Sequence, residues 1–259
     1  MHRQALLLIR LEEIAQSVAR SGHGLAVIAL GSGGNQTARL DTYSDLDFFA
    51  IVERGCKQDF LDKLDWLSSL CPVAYRYRNT PDGHKLLFED GVFCEFAVFE
   101  MDELSRIPFA PGRIVWKRED VAEVQLQPEP HWLMPPERSV EWLLGEALTN
   151  LYAGLSRHAR GEKLAAMRAI QVCAVDRVLE LAALQETETG ADRDMFAFER
   201  RYELRYPAGA QSLPAFMQGY ERNVESAQAI MSFLDAHFEL NPAMKRAIEN
   251  LCVAAAHGA

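Results

Sequence analysis

Apolar positions along the chain follow two different periods. Up to about residue 128, apolar runs of strand length alternate with short stretches of helical spacing. Such runs predict the strands 25–30, 45–52, 73–78, 85–88, 92–100 and 113–117. Helical spacing predicts helices at 3–20 and 59–70. This part is therefore expected to form a small mixed sheet with flanking helices.

The rest of the chain has helical spacing almost throughout. The predicted helices are 136–160, 163–185, 192–205, 213–237 and 242–256. Four prolines in PEPHWLMPPER, which begins at residue 128, indicate a stiff extended connection between the two parts. We predict an α+β protein with a first domain at 1–130 and a helical bundle at 131–259.

Composition and charge disfavour some classes of binding partner. Of the 259 residues, 37 are acidic and 27 are basic, for a net charge of -10. This balance disfavours tight binding to nucleic acid, which depends on neutralised phosphates. No run approaches the roughly 18 apolar residues of a membrane span, so no membrane partner is expected. Five cysteines without CxxC spacing favour reduced thiols and a cytoplasmic protein.

Residues 30–52, LGSGGNQTARLDTYSDLDFFAIV, begin with a loop suited to phosphate binding. A buried strand ends at Gly31-Ser32, and the following glycines allow the backbone to approach a ligand closely. Such a loop directs N–H groups toward phosphate oxygens, and the Ser32 hydroxyl adds a donor. Arg39 lies further along the same connection. We predict that Gly31, Ser32 and Arg39 contact phosphate groups of a ligand.

Three carboxylates accompany this loop. Asp45 and Asp47 lie two residues apart in a predicted strand, so both should point to the same face. Glu95 is a single charge within the apolar run VFCEFAVFE. Carboxylate oxygens suit Mg²⁺, which also takes oxygens from substrate phosphates. If the two strands pair, these residues provide a site for two-metal phosphoryl transfer, with Glu95 as general base.

At these residues the sequence resembles the nucleotidyltransferase superfamily of DNA polymerase β. The shared pattern is an apolar strand, Gly31-Ser32, a loop, Asp45-Leu46-Asp47 and a later carboxylate, Glu95. Within that superfamily it is most similar to the lincosamide nucleotidyltransferases and their aminoglycoside-modifying relatives. The similarity extends to YSDLDFF and to the stretch from WLSSLCPVAYRYRNTPDG to FEMDEL.

The resemblance implies a polymerase-β-like catalytic domain at 1–130, followed by a helical bundle that takes part in acceptor binding and dimerisation. It implies transfer of AMP from ATP, or of another nucleoside monophosphate, to a small hydroxylated acceptor with Mg²⁺, releasing pyrophosphate. It further implies that Asp45, Asp47 and Glu95 hold the metal ions. A homodimer and a role in antibiotic resistance belong to the same expectation.

Several alternatives remain open from the sequence. Asp45 and Asp47 could be edge-strand charges in solvent, and Arg39 a solvated loop residue. Glu95 could form a structural ion pair with Arg76 or Arg78. At the level of function, the alternatives are AMP transfer to a protein hydroxyl, a housekeeping metabolite as acceptor, and a non-catalytic nucleotide-binding module.

Overall fold

The computed structural model describes residues 3–130, 138–191, 193–194 and 196–257. The chain divides into two compact units, Met1–Pro135 and Pro136–Ala259. The first unit contains a sheet with helices and the second is helical in its described residues, so the predicted α+β class is confirmed. The predicted boundary between residues 130 and 131 adjoins residues 131–137, which lie outside the described residues, and it stays a prediction.

The six predicted strands form one mixed sheet. They are β1 (Gly24–Leu30), β2 (Leu46–Val52), β3 (Val73–Thr80), β4 (Gly83–Phe88), β5 (Phe93–Glu100) and β6 (Arg113–Lys117). Their order across the sheet is β3-β4-β5-β2-β1-β6. The central pair, β2 and β5, is parallel, and the other pairs are antiparallel. A parallel pair needs a crossover, which is provided here by residues 53–92.

Helix α1 (Arg3–Arg20) covers one face of the sheet because its apolar residues recur at helical spacing. Leu7, Leu11 and Ile14 are fully buried in one cluster with Phe48 of β2. On the opposite face, Ile51 and other residues near the ends of β2 and β5 pack under the segment that follows β5. Asp47 of β2 and Glu95 of β5 also lie on that second face.

The predicted helix 59–70 is two short helices, α2 (Lys57–Asp62) and α3 (Asp65–Ser68). The break has a physical cause in the packing of Trp66. Its indole N–H donates to the Phe60 carbonyl at 3.1 Å, and its ring contacts Phe48 edge to face. In a continuous helix Lys63 would have helical backbone angles, but the backbone of Lys63 is extended. Tertiary packing has therefore overridden local helical spacing.

The second unit is built from helices of unequal length. They are α4 (Val140–Ala159), α5 (Lys163–Met167), α6 (Val175–Ala182), α7 (Tyr202–Arg205), α8 (Leu213–Phe216), α9 (Asn223–His237) and α10 (Pro242–His257), with a π-helical segment, Arg168–Ala174, joining α5 to α6. At Gly154, a Cβ would lie 2.5 Å from Cγ1 of Ile170. The close contact between α4 and the π-helical segment therefore requires glycine. None of the described helices is both long and apolar enough to cross a membrane.

The predicted helix 213–237 is interrupted, because a buried side chain binds the backbone between α8 and α9. Gln171 accepts from the Gly219 N–H at 2.8 Å and donates to the Gly219 carbonyl at 2.7 Å. It also donates to the Asn223 side chain at 2.8 Å. Similarly, the described part of the predicted helix 192–205 contains only α7. Asp192 and Met195 lie outside the described residues.

The surroundings of His84, which lies on the α1 side of β4, should make the stability of the folded protein depend on pH. Its ring stacks on Phe96, and its Nε2 lies 3.0 Å from the Leu61 carbonyl. Burial lowers the pKa of His84, and nearby Arg78 and Arg76 lower it further. The unfolded chain therefore binds a proton at higher pH than the native state. This contribution to stability is complete above about pH 6.5, the ordinary histidine pKa, and falls as pH drops toward the lowered value.

We therefore expect the Tm of the wild type to fall between pH 7.5 and pH 5.5 more steeply than that of His84→Gln. Differential scanning calorimetry of both proteins measures this difference. The exposed His237 provides a matched control, since His237→Gln should retain the wild-type slope. Equal slopes for the wild type and His84→Gln would contradict the prediction.

Candidate active site

Asp47 and Glu95 lie side by side at the centre of the sheet. They are direct partners in the parallel register of β2 and β5. Neighbouring strands are about 4.8 Å apart, and partners in register point to the same face. The following residues on that face, Phe49 and Ala97, pack into the second apolar cluster, whereas Asp47 and Glu95 are half-buried. The structure thus brings together two of the three predicted carboxylates.

Asp45 immediately precedes β2 and is also half-buried. The thiol of Cys94 lies close to the negative charges at this end of the sheet. Cys94, adjacent to Glu95, has its pKa raised to about 12, chiefly by burial and in addition by Asp47 and Asp45. Cys94 is therefore protonated at neutral pH and is unsuited to act as a nucleophile.

The predicted Gly31-Ser32 loop lies directly against Asp47. Leu30, the last residue of β1, is the register partner of Asp47, and the chain then enters a 3₁₀ turn, Gly31–Gly33. Gly31 has φ of +53°, and a Cβ there would lie 3.5 Å from Asp47 Oδ2. A residue other than glycine would be strained at this φ and would add a group beside the carboxylate. Ser32 follows at once and is half-buried.

Arg39 lies in a second 3₁₀ turn, Thr37–Arg39, further along the same connection. It is half-buried, and its guanidinium donates to the Gln36 side chain. The structure therefore places Arg39 on the predicted loop. Its contact with a nucleotide phosphate stays a prediction.

Glu95 has two side-chain partners in the structure. The Asn79 amide donates to Oε1 at 2.9 Å, and Lys85 Nζ lies 3.1 Å from Oε2. The alternative that Glu95 forms an ion pair with Arg76 or Arg78 is wrong, because its ion pair is with Lys85. Lys85 is the register partner of Glu95, whereas Arg78 pairs with Asp62 and the Pro81 carbonyl.

A row of side chains thus crosses the sheet at the level of the carboxylates. From β2 to β3 it consists of Asp47, Glu95, Lys85 and Tyr77, each the register partner of the next. Tyr77 is 56% exposed. Sequence reasoning did not assign Lys85, Asn79 or Tyr77 to the site. The turn sequence NTPDG places β3 and β4 in one hairpin, but the alignment of that hairpin with Glu95 depends on register.

The donor set fits hard divalent cations. Carboxylate oxygens are the protein ligands that Mg²⁺ prefers, and Mg²⁺ commonly completes its octahedron with water and substrate phosphate. The ligand oxygens of Asp45, Asp47 and Glu95 are not all within 4.8 Å of one another. Both oxygens of Glu95 instead face Asn79 and Lys85. Asp45, Asp47 and Glu95 are the candidates to hold a cation, and Glu95 would bind it only after Lys85 moves.

Solved structures match this chain in ten cases, including the following two. The chain is similar to the crystal structure of an aminoglycoside 6-adenyltransferase from Bacillus subtilis, with 12% identity, a TM-score of 0.38, and coverage of 94% of this chain and 96% of that chain. It is also similar to a STING-associated CdnE c-di-GMP synthase from Capnocytophaga granulosa, with 11% identity, a TM-score of 0.32, and coverage of 98% and 80%. No family model and no curated protein matches the sequence.

The two matched structures share only 12% and 11% of their residues with this chain. With TM-scores below 0.5, they carry no weight for substrate or mechanism. The function is therefore argued from the carboxylates and the loop of this chain.

Proposed function

We propose that this protein transfers a nucleoside monophosphate, AMP from ATP in the first instance, to a hydroxyl of a small molecule. One observation carries the proposal: Asp47 and Glu95 are in register on adjacent strands, with the Gly31-Ser32 loop against Asp47. Carboxylates beside a glycine loop provide cation ligands and room for phosphate at one place. The sequence resemblance to nucleotidyltransferases points to the same chemistry.

The proposed reaction assigns a task to each group. Magnesium, when bound, neutralises charge on the triphosphate and on the attacking oxygen. Asp45 and Asp47 would hold it at the start of β2. Glu95 accepts the proton of the acceptor hydroxyl as its oxygen attacks the α-phosphorus. The new O–P bond forms, the bond from the α-phosphorus to the bridging oxygen breaks, and pyrophosphate leaves past the Ser32 hydroxyl. Arg39 is proposed to contact the departing phosphates.

The choice of acceptor rests on the sequence resemblance alone. We propose a lincosamide or aminoglycoside antibiotic, or a metabolite with comparable hydroxyls. A net charge of -10 favours a cationic acceptor at long range. Close to Glu95, however, Lys85 is positively charged, which favours presentation of a neutral hydroxyl there. A homodimer is proposed on the same resemblance, and light scattering after gel filtration tests it.

The direct test follows pyrophosphate release from MgATP, MgGTP, MgCTP and MgUTP with panels of aminoglycosides, lincosamides and hydroxylated metabolites. The expected result is release that depends on one acceptor class, with that acceptor gaining one nucleotide by mass spectrometry. ATP binding without transfer to any small molecule would contradict the proposal. Labelling of a protein from the same cells would then indicate a protein hydroxyl as acceptor.

Lys85 should compete with divalent cations for Glu95. In Lys85→Met the ion pair at 3.1 Å is lost, so the carboxylate is available to metal. We expect Mn²⁺ to bind about two- to fivefold more tightly in the absence of nucleotide, a modest change because the pair is partly exposed. Electron paramagnetic resonance of free Mn²⁺ measures this affinity without reference to turnover.

Lys63→Met is the matched control for Lys85→Met. Lys63 forms an ion pair of similar length, 2.8 Å, with Asp59 and is more exposed. Its replacement should leave Mn²⁺ affinity unchanged. If Lys85→Met binds Mn²⁺ no more tightly than Lys63→Met, Glu95 is not a cation ligand in the nucleotide-free protein.

A further inference from the structure

A second group of potential metal ligands lies at the other end of β1 and β2. His23 immediately precedes β1, Glu53 immediately follows β2, and Cys56 immediately precedes α2. The backbone holds these residues together. The Glu53 N–H donates to the His23 carbonyl at 2.9 Å, and the Cys56 N–H donates to the Glu53 carbonyl at 3.1 Å. Their relative positions therefore follow from strand pairing and a tight turn.

The side chains converge as well as the backbone. A ring nitrogen of His23, a carboxylate oxygen of Glu53 and Cys56 Sγ all lie within 4.8 Å of one another. In the part of the chain that the structure describes, this is the one set of three His, Cys, Asp or Glu residues with such proximity. His23 Nδ1 is already 3.1 Å from Glu53 Oε2. Ligand atoms around tetrahedral zinc are separated by roughly 3.3–3.8 Å, given bonds of about 2.0–2.3 Å, so small side-chain movements suffice.

Glu53 also has the supporting contact that is typical of a metal ligand. Its second oxygen, Oε1, accepts from Arg118 at 2.6 Å, and Arg118 is itself bound by Asp120 at 2.7 Å. Arg118 therefore fixes the orientation of the Glu53 carboxylate, as outer-shell partners do around bound metals.

We propose that His23, Glu53 and Cys56 form a zinc site. Imidazole, carboxylate and thiolate are the ligand types that zinc accepts. Metal binding through Nδ1 would replace the His23–Glu53 hydrogen bond with two metal bonds, leave the ring proton of His23 on Nε2, and displace the thiol proton of Cys56 to solvent. His23 is 58% exposed, so the fourth position is open to water. This site is independent of the proposed nucleotidyl transfer, because Asp47 lies opposite Leu30, at the far end of the strands.

The test is a Co²⁺ titration of metal-free protein under a phosphine reductant. Thiolate coordination gives a sulfur-to-cobalt charge-transfer band in the near ultraviolet, and tetrahedral geometry gives visible bands. We expect both to saturate at one Co²⁺ per chain and to disappear when one equivalent of Zn²⁺ is added. Cys56→Ser should abolish the charge-transfer band, and His23→Ala should weaken Co²⁺ binding at least about tenfold.

Cys173→Ser is the matched control, because Cys173 is an exposed thiol in the other unit, and it should keep the full spectrum. Asp47→Asn should also keep it, which separates this site from the carboxylate site. The proposal is overturned if the wild type gives no charge-transfer band, or if the band survives in Cys56→Ser. It is equally overturned if the band is lost in Cys173→Ser.

Discussion

Asp47→Asn is expected to reduce nucleotidyl transfer by about three orders of magnitude, which corresponds to about 4 kcal/mol of transition-state stabilisation. Asparagine retains the size of the side chain but removes the negative charge at the position where β1, β2 and β5 meet. A cation held there would lose a carboxylate ligand, and charge on the triphosphate would be poorly neutralised. The measurement is acceptor-dependent pyrophosphate release at saturating MgATP.

The effect of Asp47→Asn should be confined to chemistry and metal binding. Its circular dichroism and Tm should match or exceed those of the wild type, because the substitution removes one of several neighbouring acids. Asp59→Asn provides the control, since Asp59 is an exposed carboxylate on α2 and its loss should leave transfer unchanged. Transfer within tenfold of the wild type in Asp47→Asn would refute the proposed role of Asp47.

Phe48→Ala is expected to destabilise the first unit by about 3–5 kcal/mol, the usual cost of truncating a fully buried phenylalanine. Phe48 is 0% exposed. Its ring stacks on Phe96 with centroids 5.2 Å apart and meets Trp66 edge to face. These contacts join β2, β5 and α3 below the face that carries Asp47 and Glu95, so the substitution leaves a cavity under the site.

Hydrogen exchange followed by mass spectrometry localises this loss. Amides of β2 and β5 should exchange faster in Phe48→Ala, while those of α4, in the other unit, should be unaffected. Tyr75→Ala is the control, because Tyr75 is 56% exposed on β3 and its ring contributes little buried area. Unchanged protection of β2 in Phe48→Ala would show that the Phe48 ring is not essential to the core.

The sequence pattern predicted the strands and the three carboxylates because both depend on local signals. Strand-length apolar runs identified all six strands, and Asp47 and Glu95 stood out as charges within such runs. Their proximity followed only on the condition that β2 pairs with β5. That pairing is non-local, and only the structure establishes it. Asp47→Asn and Lys85→Met test the metal roles of these two carboxylates.

Three of the failures involve contacts between residues that are distant in the sequence. Lys85 was not assigned to the site because its partner, Glu95, lies on another strand. The helix 213–237 had continuous helical spacing, yet a buried Gln171, more than 40 residues away, binds the interrupting loop. Trp66 similarly breaks the helix 59–70 through its packing in the core. The spacing of apolar residues shows which face of a predicted helix is apolar. It does not show which side chain from a distant part of the sequence will bind the backbone of that segment.

The parallel pairing of β2 with β5 also affects how the chain folds while it is being synthesised. Phe93, where β5 begins, follows Val52 by 41 residues. The ribosome adds roughly 5–20 residues per second. About 2–8 s therefore pass between the synthesis of Val52 and the start of β5, the second neighbour of β2 in the sheet. During that interval its apolar edge has unpaired N–H and carbonyl groups, which can pair with other nascent chains. Slower translation between these strands should therefore increase aggregation and the demand for chaperones, even when the folded protein is fully stable.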